Sequence, residues 1–277
     1  MARKTRLSAA EIEQYRAEGL VVPDYRLPDD QLAALRVMVD RLIADHPNVA
    51  PEALSGPHNP WGQSSALKGS FDFLAFCQSP ELLDMIEQLV GPDVILWGSQ
   101  MFCKPPGVGK IVPWHQDGKY WPLQPLATVT LRIAIDGSTP ENGCMRFIPG
   151  SHLRAELRAH EVVKHDDYAL GQEMPDVDES VARDVVLEPG QISLHDVYTV
   201  HGSAANRSSK RRADYAIRYM PATTLYDRSP QNPAVRYAVQ HSPHMNYPMR
   251  PIWLVRGVDR AGNDFAVGKG PGSGSAG

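Results

Sequence analysis

The stretch VPWHQDGKYW, residues 112–121, sets His115 and Asp117 two positions apart among aromatic residues. In an extended segment, residues i and i+2 point to the same side, so an imidazole and a carboxylate can converge on one point. That supplies two ligands for a metal ion. A further histidine would complete a facial triad of two histidines and one carboxylate, which leaves positions open on Fe(II) for a chelating co-substrate and O2. Taken alone, the same spacing also suits a loop whose two polar side chains bond their own backbone.

The segment VYTVHGSAANRSSKRR, residues 197–212, offers His201 after a strand, Ser203 two residues later, and Arg212 at the head of another strand. A guanidinium there can grip a dicarboxylate through two parallel hydrogen bonds, and Ser203 can donate to the same carboxylate. His195 in SLHD and His152 in PGSH are rival ligands; both read as hydrogen-bonded structural histidines once His115 and Asp117 are used. His160 and His165 belong to an acidic stretch and read as solvated. Arg211 and Arg218 compete with Arg212 as the anchor, but alternation puts Arg211 on the opposite face and Arg218 on the same face, where it can serve a substrate. Trp114, Tyr120, Trp121 and Tyr198 flank the pair. Such a group can box an apolar or cationic substrate, although packing at a barrel mouth is the commoner use.

These residues need elements to hold them. Ser8 with Glu11 three residues on forms a capping box, and Gly19 stops the helix that it starts. A second helix carries Leu32, Leu35, Val39, Leu42 and Ile43 at helical spacing and closes at Pro47. Residues 48–70, rich in Pro and Gly, read as a long loop of the kind that forms lids, and 79–91 as a capped helix ending on glycine. Strands follow from Val94. Residues 127–136 alternate, with Val129, Leu131, Ile133 and Ile135 on a core face and Thr128, Thr130, Arg132 and Ala134 facing a wet cavity. Residues 160–182 show little periodicity and read as a mobile insertion. Helices first and strands after predict an α+β, mainly β chain, a barrel or sandwich buttressed by N-terminal helices. One domain over 1–267 is expected, its helical part at about 8–92 and its barrel core at about 93–220, with a flexible tail at 268–277.

A net charge of −4 and a pI near 6.2 argue against a general nucleic-acid surface. Cys77, Cys103 and Cys144 have neither zinc nor disulfide spacing, so a reducing cytoplasm is the expected setting. The first residues are basic but lead into polar helical sequence without an apolar signal core, and no long apolar run predicts a membrane span. The expected partner is a small-molecule substrate, with no obligate protein partner.

The stretch WHQDGKYW, the turn ENGCMRFIPGSH, the strand PGQISLHD and the segment VHGSAANRS together resemble the phytanoyl-CoA dioxygenase family of Fe(II)/2-oxoglutarate oxygenases. The likeness runs from EIEQYRAEGLVV to about Met220. It implies a double-stranded β-helix, the jelly-roll or cupin-like barrel. It also implies that His115, Asp117 and His201 are the iron ligands, that Arg212 binds the distal carboxylate of 2-oxoglutarate, and that Ser203 is its hydroxyl partner. Lys104, in CKPPG, matches a lysine that lies near the co-substrate in relatives. Arg132 falls where some relatives place an aromatic residue, and this departure leaves it to touch either the co-substrate or an anionic substrate.

The implied activity uses O2 and 2-oxoglutarate to hydroxylate an aliphatic C–H, releasing succinate and CO2. Related halogenases leave the carboxylate position empty for a halide; Asp117 here favours hydroxylation. The polar wall of Thr128, Thr130 and Arg132, with Asp214 and Arg218 on the Arg212 face, points to a small polar or anionic metabolite, with Thr130, Tyr120, Trp121 and Arg218 as candidate substrate residues. An acyl-CoA hydroxylase would need a phosphate-binding basic cluster, and only the KRR at 210–212 offers one. Two other classes fit the same ligands: a metal-dependent cupin-like hydrolase or isomerase without 2-oxoglutarate, and a non-catalytic binding protein, which would have no reason to keep a full ligand set.

Overall fold

A computed structural model describes residues 5–61, 67–241 and 245–270. Helix α1 (Ala9–Glu18) starts on Ser8, whose side chain accepts from the Glu11 amide while Glu11 returns to the Ser8 backbone, and stops at Gly19 with φ +81°. Helix α2 (Asp29–Asp45) buries Leu32, Leu35, Val39 and Leu42, as their spacing predicts. Helix α3 (Phe71–Cys77) follows the Ser70 cap and is absent from the sequence reading, because its seven residues are too few to show a period. Helix α4 (Pro80–Val90) ends on Gly91, and α5 (Pro233–His241) lies in the C-terminal part.

The strands are β1 (Leu20–Val21), β2 (Leu54–Ser55), β3 (Val94–Lys104), β4 (Val112–His115), β5 (Leu123–Gln124), β6 (Val129–Ala134), β7 (Met145–Phe147) and β8 (Glu161–Val162). They continue with β9 (Gln172–Glu173), β10 (Arg183–Val185), β11 (Ile192–Asp196), β12 (His201–Ser203), β13 (Arg212–Pro221), β14 (Leu225–Tyr226) and β15 (Trp253–Arg256). A seven-stranded sheet runs β1-β11-β6-β13-β3-β15, with β2 also on β3; a four-stranded sheet runs β10-β7-β12-β4. Two small pairs, β5 with β14 and β8 with β9, complete the described strands. The chain is mainly β, as expected.

Internal contacts group the chain into two compact units, 1–54 with 101–119 and 130–216, and 55–100 with 120–129 and 217–277. In the first, Leu20, Ala134, Met145, Phe147, Val185 and Leu187 form a core cluster. Arg36 on α2 donates to the Ile135 carbonyl at 3.2 and 3.0 Å, tying that helix to the end of β6. In the second, Val235, Ala238 and Tyr247 pack together with Met245 against them.

Three expectations change. The part of the 48–70 loop from Leu54 to Pro60 is buried, with Gly56 donating to the Ser99 carbonyl, so it is packed chain and not an exposed lid; residues 62–66 lie outside the described residues. The acidic stretch read as a mobile insertion holds the β8–β9 pair and is tied down by amide bonds from Ile111 to Asp167, Ala169 to Ile111 and Met174 to Trp114. The polar face of β6 is as buried as its apolar face: Arg132 pairs there with Asp214, while Thr130 Oγ1 is buried without a hydrogen-bond partner. Of the expected tail, 271–277 lie outside the described residues.

Candidate metal centre

The two histidines come together through sheet register. His201 of β12 pairs directly with His115 of β4, and their ring centroids lie 4.2 Å apart. No local rule shows this pairing, since 86 positions of chain separate the two residues. Asp117 follows in a short 3-10 turn (Asp117–Tyr120) rather than in extended chain, so the i, i+2 argument reaches the right neighbours through a different backbone. One ligand atom from each of His115, Asp117 and His201 lies within 4.8 Å of the other two, and all three residues are buried. His115 Nε2 sits 3.6 Å from Asp117 Oδ1.

The donor set fits a metal ion. His115 Nδ1 is 2.8 Å from the Pro113 carbonyl and His201 Nδ1 is 2.9 Å from the Thr199 carbonyl. A carbonyl only accepts, so each Nδ1 carries the proton and each Nε2 presents its lone pair. Such backbone bonds are the usual means of fixing a ligating imidazole. Burial and the neighbouring His115 push the His201 pKa well below the ordinary value, keeping it neutral and ready to ligate. The helical buttress reaches this point through Gly19: its carbonyl accepts from Thr199 Oγ1 at 2.8 Å, and Thr199 in turn holds His201.

His195 corrects the sequence reading. It was expected to be a hydrogen-bonded structural histidine, yet neither ring nitrogen has a hydrogen-bond partner, and Nε2 lies 3.5 Å from Asp117 Oδ2. Its ring centroid is 4.9 Å from that of His201. His152 does bond, through Nε2, to the Arg16 carbonyl. His160 is not merely solvated: its Nε2 accepts from the Gln116 amide at 3.1 Å, and burial lowers its pKa to about 4. His165 is exposed and stacks on Tyr168, as a solvated side chain would.

In the same unit lies a buried group of cations. Lys104 Nζ donates to Ser203 Oγ at 2.7 Å and to the Ala204 carbonyl. Arg212 donates through Nη1 to the Gly143 carbonyl, while its Nε stands 2.9 Å from Asp214 Oδ2 without the alignment of a hydrogen bond. Arg132 Nη2 pairs with that same oxygen, and its Nη1 has no hydrogen-bond partner. Burial first, then Arg212 and Arg132, lower the Lys104 pKa to about 6, and burial lowers that of Arg212 to about 10. Two guanidiniums therefore share one carboxylate, an excess of buried positive charge that a further carboxylate would relieve. In the sequence Asp214 is legible only as part of a polar face, through its even offset from Arg212; its pairing with Arg132 is not.

Arg211 points away, to Asp136 and Asp40, as alternation requires. Thr130 is buried in the first unit with no partner for its Oγ1. Tyr120, Trp121 and Arg218 belong to the second unit. There the Arg218 guanidinium lies 4.9 Å over the Trp121 ring, Trp121 packs edge-on to Trp97, and Tyr120 lies against Tyr237.

The phytanoyl-CoA dioxygenase (PhyH) family model matches residues 5–213. The chain belongs to this family. Over 149 residues it is 31% identical to a probable alpha-ketoglutarate-dependent hypophosphite dioxygenase of Stutzerimonas stutzeri, covering 52% of this chain and 51% of that protein. Over 236 residues it is 25% identical to the ectoine dioxygenase of Bordetella parapertussis, covering 77% and 75%. The human peroxisomal phytanoyl-CoA dioxygenase matches at 26% over 162 residues, 56% of this chain and 48% of that one, so the chain spans about half the length of two of these relatives. Among solved structures, the non-heme monooxygenase ThoJ superposes with a TM-score of 0.67 at 25% identity, covering 90% of this chain and 84% of that one. EvdO2 from Micromonospora carbonacea var. aurantiaca complexed with 2-oxoglutarate shares the fold at a TM-score of 0.62 and 23% identity, covering 84% and 97%. Among the described residues, no helix of this PhyH-family chain is long and apolar enough to cross a membrane.

Proposed function

We propose that this chain is an Fe(II)- and 2-oxoglutarate-dependent dioxygenase that hydroxylates an aliphatic C–H of a small polar or anionic metabolite, releasing succinate and CO2. The observation that carries this reading is the convergence of His115, Asp117 and His201 with both imidazoles turned Nε2-inward. We read the two larger sheets as the halves of a double-stranded β-helix; β3, β6 and β13 each run through both units, which supports one oxygenase domain.

Bound there, Fe(II) and 2-oxoglutarate would supply the oxidising chemistry with O2, the keto acid being the reductant that ends as succinate and CO2. The chain's own residues have defined tasks. His115, Asp117 and His201 would hold the metal through the two Nε2 atoms and a carboxylate oxygen. Arg212 and Arg132, with the Lys104–Ser203 pair, bind the distal carboxylate, adding the negative charge that Asp214 alone does not supply. Asp117 keeps a carboxylate where a halide would otherwise bind. Burial of all these groups excludes bulk water from the reacting centre. Thr130, buried in the same unit as the metal centre, is the proposed substrate residue there.

An anaerobic titration of the metal-free protein with Fe(II) and 2-oxoglutarate tests this. The expected result is a weak visible charge-transfer band, absent in His115→Ala and needing at least about tenfold more 2-oxoglutarate in Arg212→Ala. Tight metal binding with no band would leave the clamp and remove the co-substrate, in favour of a hydrolase or isomerase.

A further inference from the structure

The second unit buries a set of donors that the metal centre does not use. Arg218, Arg250, His58 and Ser99 gather around Gly98, where an added Cβ would stand 3.6 Å from Arg250 Nη1 and 3.7 Å from Arg218 Cδ. Arg250 is 4% exposed and Arg218 6%. The Arg250 guanidinium lies 4.7 Å over the Tyr247 ring, and its Nη2 is 3.6 Å from the Met245 sulfur. Neither neighbour carries negative charge, and among the described residues no carboxylate stands within ion-pair distance of Arg250. Arg218, besides its contact with Trp121, has Nη2 3.4 Å from Gln100 Oε1.

His58 is 1% exposed; its Nδ1 is 2.6 Å from Ser99 Oγ and its Nε2 has no hydrogen-bond partner. Burial, then Arg250 and Arg218, drive its pKa down to about 3, so the ring is neutral. The Ser99 hydroxyl can donate to Nδ1 or accept from it; in the tautomer where it donates, the proton sits on Nε2, which then offers one more buried donor to an anion. Burying an uncompensated guanidinium is destabilising, and so is burying an N–H that has no acceptor. A small anion would offset both. Guanidiniums bind planar carboxylates and tetrahedral phosphonates or phosphates alike through paired N–H bonds.

We propose that Arg250, Arg218 and His58 form an oxyanion site that receives the carboxylate or phosph(on)ate group of a small molecule. The site lies within the second unit, and the oxygenase reading is not needed for it.

The test is calorimetric titration of the full-length protein, anaerobic and loaded with Fe(II) and saturating 2-oxoglutarate, using butyrate, propylphosphonate and, as the uncharged control, butanamide. Wild type should bind at least one of the two anions saturably at one site and leave butanamide unbound, with the tighter anion naming the preferred group. Arg250→Met should weaken that anion at least tenfold and His58→Gln several-fold, while both keep the wild-type 2-oxoglutarate midpoint of the visible band. Arg250→Met should melt no lower than wild type in anion-free buffer, because it removes an unpaired buried charge; if it melts lower, His58→Gln decides the matter. No saturable binding of either anion, or equal binding by wild type and the deciding variant, overturns the proposal. A missing visible band with anion binding that still depends on Arg250 removes the oxygenase reading and leaves the oxyanion site standing.

Discussion

The imidazole of His195 stands 3.5 Å from the second oxygen of Asp117 without an aligned hydrogen bond. Partners at that position orient a ligating carboxylate, and their loss typically weakens metal binding about 10–100-fold. His195→Leu should therefore weaken Mn(II) or Fe(II) affinity by at least about tenfold in a chelator competition, and His195→Gln, which keeps a donor, should recover much of it. Equal affinities in the three proteins would make His195 a packing residue. Lys104 gives a pH signature. Its pKa near 6 in the free protein lies below the ordinary value of 10.5, so between these the unfolded chain binds more protons and this residue's contribution to stability rises with pH. On the proposed function, a carboxylate of 2-oxoglutarate bound beside it would raise its pKa again, so binding would take up a proton. Affinity should be greatest below about pH 6 and weaken as pH rises above it. Calorimetry at pH 7.5 in buffers of different ionisation enthalpy should show uptake approaching one proton, lost in Lys104→Met; no buffer dependence would contradict this.

At the level of elements, the turn at Gly143 connects a backbone requirement to the buried Arg212. Gly143 has φ +75°, its carbonyl accepts from Arg212 Nη1, and a Cβ there would stand 2.3 Å from the Ala204 carbonyl oxygen. Gly143→Ala combines left-handed strain with a backbone clash, so a loss of about 2 kcal/mol or more is expected in denaturant unfolding. Because the displaced carbonyl also holds Arg212, the 2-oxoglutarate requirement should rise as well; unchanged stability would show that the turn relaxes freely. The composition ENG announces this turn, but not that its carbonyl meets Arg212. Likewise the capping box of α1 was legible in Ser8 and Glu11, whereas the link from Gly19 through Thr199 to His201 joins residues 182 positions apart.

For the whole molecule, a metal that binds the folded centre and not the unfolded chain raises stability by mass action, about 2.7 kcal/mol at a hundredfold excess over Kd. Thermal unfolding with and without Mn(II) should show an upward shift in wild type and none in His115→Ala. A shift of equal size in both would place the binding elsewhere. The 48–70 segment shows the limit of composition at this scale: its Pro and Gly content reads as a lid, yet Leu54–Pro60 is buried and places His58 beside Ser99. Low periodicity marks irregular backbone, and irregular backbone can be packed when its polar groups find partners.

The sequence by itself determined the ligand chemistry, the helical start, the mainly β class and the alternation that separates Arg211 from Arg212, because each depends on residue type or on spacing along a few positions. Only the tertiary structure decided that His201 faces His115, that Asp214 lies between Arg132 and Arg212, that His195 attends Asp117, and that Arg250 is buried with no carboxylate paired to it among the described residues. Those are contacts between distant segments. Strand register and the balance of buried charge set them, and neither quantity is written in any local run of residues.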